Sequence, residues 1–248
     1  MIIIKSEYEI AIMREANRIL AQLFEHISPM ILPGISTIEL DKEAELFIRS
    51  HGALPAFKGY RDYPATLCTS VNDEVVHGIP GPRVLQSGDI ISIDVGALFD
   101  GFYSDAARTF PVGTISPQAK KLIEVTRESL DAGISQAVPG NHLSDISAAV
   151  QKVVEEGGFS VVRDFVGHGI GRNLHEAPQI PNFGRRGKGP VLQEGMTLAI
   201  EPMVNAGTYK VLIQSDGWTA VTEDASLSAH FENSIAVTKD GPVVLSAL

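Results

Sequence analysis

LQSGDIISIDVGALFDGFYSDAARTF, residues Leu85–Phe110, holds two apolar runs on either side of Asp100-Gly101. An Asp-Gly pair so flanked is a strong signal for a tight β-hairpin. Counting outward pairs Phe99 with Phe102, Leu98 with Tyr103, Ala97 with Ser104, Gly96 with Asp105 and Asp94 with Ala107. Side chains alternate across a strand, so positions 94, 96, 105 and 107 share one face. Asp94 and Asp105 then become diagonal neighbours, roughly 7–8 Å apart at the backbone. Two carboxylates at that range repel unless one is protonated or a cation lies between them. Ile90, Ile91 and Ile93 mark the strand before Asp94 as buried, where a lone acid is costly. Gly96 is expected to leave space beside both acids. A metal ion between them is the economical reading, and a solvated hairpin face is the alternative.

The opening of this stretch recurs. LQSGDIISID (Leu85–Asp94) matches LQEGMTLAIE (Leu192–Glu201), with Glu201 at the position of Asp94. A His-Gly-Ile triplet precedes each copy, at His77 and at His168. Further upstream, LPGISTIELDKEAELFIRSHG (Leu32–Gly52) and VPGNHLSDISAAVQKVVEEGG (Val138–Gly158) both begin at Pro-Gly, run into a helical pattern and stop at Gly. The shared order of three landmarks predicts one domain, 1–248, made of two similar halves, roughly 1–115 and 116–248, related by a pseudo-twofold. Sites often form where such halves meet.

Apolar periodicity predicts helices over Lys5–Ile27, Thr37–Ser50, Ser116–Val138 and Leu143–Glu156. Strands are expected over Ala65–Val71, Ile90–Leu98, Phe102–Val112, Val161–Val166, Thr197–Asn205, Trp218–Thr222 and Ala229–Thr238. Helices with mostly antiparallel strands make an α+β fold.

The second half supplies counterparts to the hairpin acids. Glu232, in HFENSIAV, lies on a strand that can pair with the strand leading to Glu201. His168 and His175 sit in GHGIGRNLHE (Gly167–Glu176), where the glycine density excludes a helix and suggests a strand end or tight loop with unusual backbone angles. Four carboxylates and His168 make five ligands drawn from both halves. Hard oxygens with one imidazole suit Mn, Fe, Co or Zn. Five ligands rich in carboxylates suit two such ions about 3.5–4 Å apart.

The chain has 248 residues, is 44% hydrophobic and 20% charged, and carries a formal net charge of −10. That is enough for a sizeable core, and the acidity argues against a nucleic-acid binder. Arg185, Arg186 and Lys188 read as a solvated loop. A single cysteine, Cys68, allows no intramolecular disulfide and points to a reducing compartment. With no apolar run near the ~20 residues of a membrane span, a cytoplasmic protein without membrane partners is expected. HEAPQ (His175–Gln179) is not the H-E-x-x-H metalloprotease motif, since Gln179 replaces the second His and Pro178 opposes a helix.

Taken together, HGI at 77, IDVG at 93, DGFYSDAARTF, GHGIGRNLHEAP, EPM at 201 and HFENSIAV resemble the type I methionine aminopeptidases over essentially the whole chain. The resemblance implies the pita-bread fold, two pseudo-symmetric αβ halves around a dinuclear metal site with a central antiparallel sheet. It implies Asp94, Asp105, His168, Glu201 and Glu232 as metal ligands, with cobalt, manganese, iron or zinc as the candidate ions. It implies hydrolysis of the first peptide bond of nascent polypeptides, removing the initiator methionine when the second residue is small. Glu201 would accept the proton of the attacking water, His175 would face the oxyanion and His77 the scissile amide. Tyr60, Tyr63, Cys68, Phe165, Leu174 and Trp218 would wall the methionine pocket. A monomer is implied, with the ribosome surface as a candidate partner. Leu174 stands where the family often has an aromatic residue, which would widen or soften the pocket rim. His230 stands where Gln is common, either as a partner on the face of Glu232 or exposed. A proline-specific peptidase of the same fold usually carries a large extra N-terminal domain, and a non-catalytic binding relative would be expected to lose ligands; both remain the alternatives.

Overall fold

The computed structural model describes residues 1–247. Four long helices form where the periodicity places them. α1 (Glu7–Ile27) begins two residues later than expected, because Ser6 caps it in a reciprocal box with Glu9. α2 (Thr37–Ser50) is closed by the same device between Ser36 and Glu39. α3 (Pro117–Ser135) starts on a proline after the Ser116 cap, and α4 (Leu143–Glu156) ends at Gly157.

The strands, in chain order, are β1 (Leu54–Pro55), β2 (Leu67–Val71), β3 (Glu74–Val76), β4 (Ile90–Phe99), β5 (Phe102–Pro111), β6 (Ser160–Val161), β7 (Gly167–Gly169), β8 (Glu176–Ile180), β9 (Thr197–Ile200), β10 (Met203–Asn205), β11 (Val211–Ile213), β12 (Ala220–Thr222), β13 (Ser228–His230), β14 (Glu232–Thr238) and β15 (Gly241–Val244). Nine of them form one sheet along β1-β4-β5-β14-β9-β7-β8, with β2 also on β4 and β15 on β14. Two three-stranded sheets, β13-β10-β6 and β11-β12-β3, flank it. The neighbours within each sheet run antiparallel.

The β4–β5 hairpin has the expected register from Phe99↔Phe102 through Gly96↔Asp105 to Asp94↔Ala107. Asp100 and Gly101 both have positive φ, 47° and 78°, as a type I′ turn requires. Several expected strands are shorter or divided, with Ala65–Val71 beginning only at Leu67 and Trp218–Thr222 only at Ala220. Val161–Val166 keeps only β6, because the chain bends before it reaches β7. Thr197–Asn205 is broken at Glu201-Pro202, where proline has no N–H to give a ladder. Ala229–Thr238 changes sheets at Phe231, so β13 and β14 pair with different partners.

α1 and α2 cover one stretch of the large sheet through Leu20, Leu23, Ile27, Leu40 and Ile48, packed on Leu67, Ile91 and Ile93. α3 and α4 cover another through Leu130, Ile134 and Ile146, packed on Leu198, Ile200 and Ile235. A third cluster of Met13, Tyr63, Cys68, Phe102 and Leu174 borders the site cavity. Among the described residues no helix is long and apolar enough to cross a membrane.

Candidate active site

Four strands bring the acids together. Asp94 and Asp105 come from the hairpin, Glu232 from the first residue of β14 opposite Ala107, and Glu201 from the break after β9. β14 lies between β5 and β9, so the pairing expected for Glu232 holds. His168 enters from the centre of β7. Asp105, His168 and Glu232 can each point one ligand atom into a space where those atoms lie within 4.8 Å of one another. His168 Nε2 stands 3.7 Å from Asp105 Oδ2 and 3.6 Å from Glu201 Oε1. Its Nδ1 is 2.9 Å from the Gly169 carbonyl. A carbonyl only accepts, so Nδ1 carries the proton and Nε2 turns a lone pair to the carboxylates.

The glycines around His168 serve contact rather than unusual angles, contrary to expectation. None of Gly167, Gly169 and Gly171 has a positive φ. A Cβ on Gly167 would lie 2.5 Å from the Ala199 carbonyl, and one on Gly169 would lie 2.2 Å from that of Ala177. β7 is therefore squeezed between β8 and β9. Gly96 also departs from its expected role. Its Cβ would meet Phe57 at 2.8 Å and Ala56 at 2.9 Å, so the space is filled by a neighbouring loop.

Burial pushes the Asp94 carboxyl up to about 7. Burial first, then neighbouring negative charges, pushes Asp105, Glu201 and Glu232 well above the usual range. Asp94 Oδ1, Asp105 Oδ1 and Glu232 Oε1 are buried without hydrogen-bond partners. Unpartnered buried carboxylate oxygens facing one another are the donor set a divalent cation satisfies. The residues present therefore fit a metal centre.

His77, His175, Tyr60, Tyr63, Cys68, Leu174 and Trp218 join the acids around one cavity of about 160 Å³. Tyr63 meets Trp218 edge-on at 5.1 Å, and its hydroxyl reaches the carbonyls of Leu67 and Gly78. Cys68 lies opposite Asp94 in the β2–β4 register, its thiol pushed up by burial. Leu174, 2% exposed, is part of the wall. Phe165 is not. Its ring meets that of His77 edge-on at 5.4 Å. His77 adopts φ 61°, a left-handed conformation that a non-glycine residue rarely takes and that concentrates at functional sites. Burial holds its pKa near 4, so the ring is neutral.

His175 Nδ1 is 2.9 Å from the Tyr60 hydroxyl, and its ring lies 4.3 Å from that of His168. His230 is buried, so the exposed alternative is excluded. Its Nε2 has no hydrogen-bond partner and faces Glu201 Oε2 at 3.7 Å rather than a neighbour on its own strand. Phe57 and Arg61 also line the cavity and were not anticipated. Phe57, Tyr60 and Tyr63 recur every third residue, a signal that could have found the first. Arg61, exposed and with a left-handed φ of 48°, left none.

The family model for metallopeptidase family M24 matches residues 11–239. The methionine aminopeptidase of Clostridium perfringens is 56% identical over 248 residues, all of both chains. Methionine aminopeptidase 1 of Bacillus subtilis is 56% identical over 246 residues, 99% of each. The crystal structure of methionine aminopeptidase from Rickettsia prowazekii superposes with a TM-score of 0.98 at 43% identity, covering 99% of this chain and 100% of that one. The prolidase from Pyrococcus horikoshii superposes at 0.80 with 25% identity, and this chain spans only 63% of it.

Proposed function

The chain belongs to metallopeptidase family M24, with the pita-bread fold, and from that premise we propose that it is a methionyl aminopeptidase. It removes the initiator methionine of nascent polypeptides when the second residue is small. Full-length identity to methionine aminopeptidases carries this reading, together with one cavity that joins an apolar pocket to the buried acids. We read the chain as a single catalytic domain built of halves 1–115 and 116–248, working in the cytoplasm as a monomer near the ribosome surface.

Asp94, Asp105, His168, Glu201 and Glu232 would hold two divalent ions, of Co, Mn, Fe or Zn. When bound, these supply Lewis acidity and lower the pKa of water at the site. Glu201, which lines the cavity just past the end of β9, accepts the proton of the attacking water. With the Tyr60 hydroxyl, 2.9 Å away, donating to His175 Nδ1, Nε2–H would be free to donate to the developing oxyanion. His77, neutral and held edge-on by Phe165 and Trp218, faces the scissile amide. Tyr60, Tyr63, Cys68, Leu174 and Trp218 receive the methionine side chain.

The test strips the protein with a chelator, restores each metal singly and offers Met-Ala, Met-Gly, Met-Leu and Ala-Pro peptides. Metal-dependent release of Met from Met-Ala and Met-Gly, with Met-Leu spared, is expected. Cleavage confined to Ala-Pro would replace this reading with the proline-specific one.

A further inference from the structure

The N-terminal arm ahead of α1 is tied to the active-site loop by a buried ion pair. Lys5 Nζ donates to Glu176 Oε2, and both side chains are only 3% exposed. Glu176 directly follows His175 and begins β8. The other Glu176 oxygen accepts from the Asn173 N–H at 3.2 Å. Lys5 is itself held by the Gly195 carbonyl, which accepts its backbone N–H at 2.8 Å. The arm passes so close beneath the loop that a Cβ on Gly171 would lie 2.4 Å from Lys5 Cε and 2.8 Å from Glu176 Oε1. At the surface Glu9 also grips the loop through Arg172 at 3.1 Å.

Within this loop Leu174 walls the cavity and His175 reaches Tyr60. The ladder between β7 and β8 shifts register between His168 and Gly169, so β pairing alone does not set where His175 points. We infer that Lys5 is a positioning residue for the reaction, acting through Glu176 to aim His175 Nε2 at the scissile carbonyl. This rests on the role assigned to His175 above. The arm is thus part of the catalytic apparatus, although Lys5 lies outside the residues matched by the family model.

Breaking one side of a buried pair destabilises a protein, whereas replacing both sides with apolar residues is often neutral. That difference separates aim from stability. The variants are Lys5→Met, Lys5→Met/Glu176→Met and His175→Ala, assayed on a Met-Ala peptide at saturating metal. Lys5→Met is expected to lower kcat tenfold or more, with KM and the metal Kd unchanged within twofold. The double variant is expected to recover the melting temperature but not kcat. The imidazole NMR signals of His175, assigned from His175→Ala, should move in both variants while those of the distant His26 do not. Recovery of kcat together with the melting temperature would overturn the inference and leave the pair merely structural. If His175→Ala alone retains wild-type kcat, the role of His175 fails, a result independent of the Lys5 variants.

Discussion

Glu201, the proposed proton acceptor, stands just past the end of β9, where the strand breaks. Pro202, with no N–H to give, ends the ladder beside it. Replacing Glu201 with Gln preserves shape and removes the proposed proton acceptor. We expect kcat to fall by at least ~100-fold, the usual lower worth of a general base, with the circular dichroism spectrum unchanged. Wild-type turnover by that variant would remove Glu201 from the mechanism. At this scale the candidate ligand acids Asp94, Asp105 and Glu201 were legible in the sequence, because hairpin parity and the internal repeat place them without any knowledge of distant contacts. His230 was not. Alternation put it beside Glu232, but the change of sheet at Phe231 turns it toward Glu201 instead.

Among the elements, β7 is the most constrained. Its three residues carry His168 between two strands that leave no room for side chains at Gly167 and Gly169. Gly169→Ala forces a Cβ against the Ala177 carbonyl and must spread β7 from β8. Overpacking of this kind costs about 1–3 kcal/mol, so a melting temperature several degrees lower is expected, with weaker metal binding in a titration calorimeter. Unchanged values in both would show that the strands move apart freely. The hairpin, by contrast, follows from local chemistry, and its ten-residue pairing agrees with the count from Asp100-Gly101.

For the molecule as a whole, the buried acids set a dependence on pH. In the metal-free fold Asp94 keeps its proton up to about 7, and burial with neighbouring negative charge raises the other three acids well above their ordinary values. The unfolded chain releases them near pH 4. The folded state then binds more protons, so stability falls as pH rises through that window. His77 and His168, held near 4, and His230, held near 3, oppose this, because the unfolded chain takes up protons that the fold refuses. Their contribution ends above about pH 6.5, the ordinary value for His. We therefore expect the melting temperature of chelated protein to fall as pH rises above about 6.5. Divalent metal should raise it most at higher pH. Calorimetric scans with and without chelator check this, and a metal-free melting temperature that climbs with pH would contradict it.

The amino-acid sequence by itself determined the four helices, the hairpin register, the α+β class and the set of acids facing one another. Capping boxes, turn residues and periodicity act between neighbours a few positions apart, so they leave a readable local pattern. Only the tertiary structure decided the left-handed backbone of His77, the edge-on contact of Phe165 with it, the filling of the space at Gly96 and the tie between Lys5 and Glu176. Those two charges are 171 residues apart in the chain. Nothing local to either one requires the other, and they meet only because packing removes both from water and leaves each as the partner the other needs.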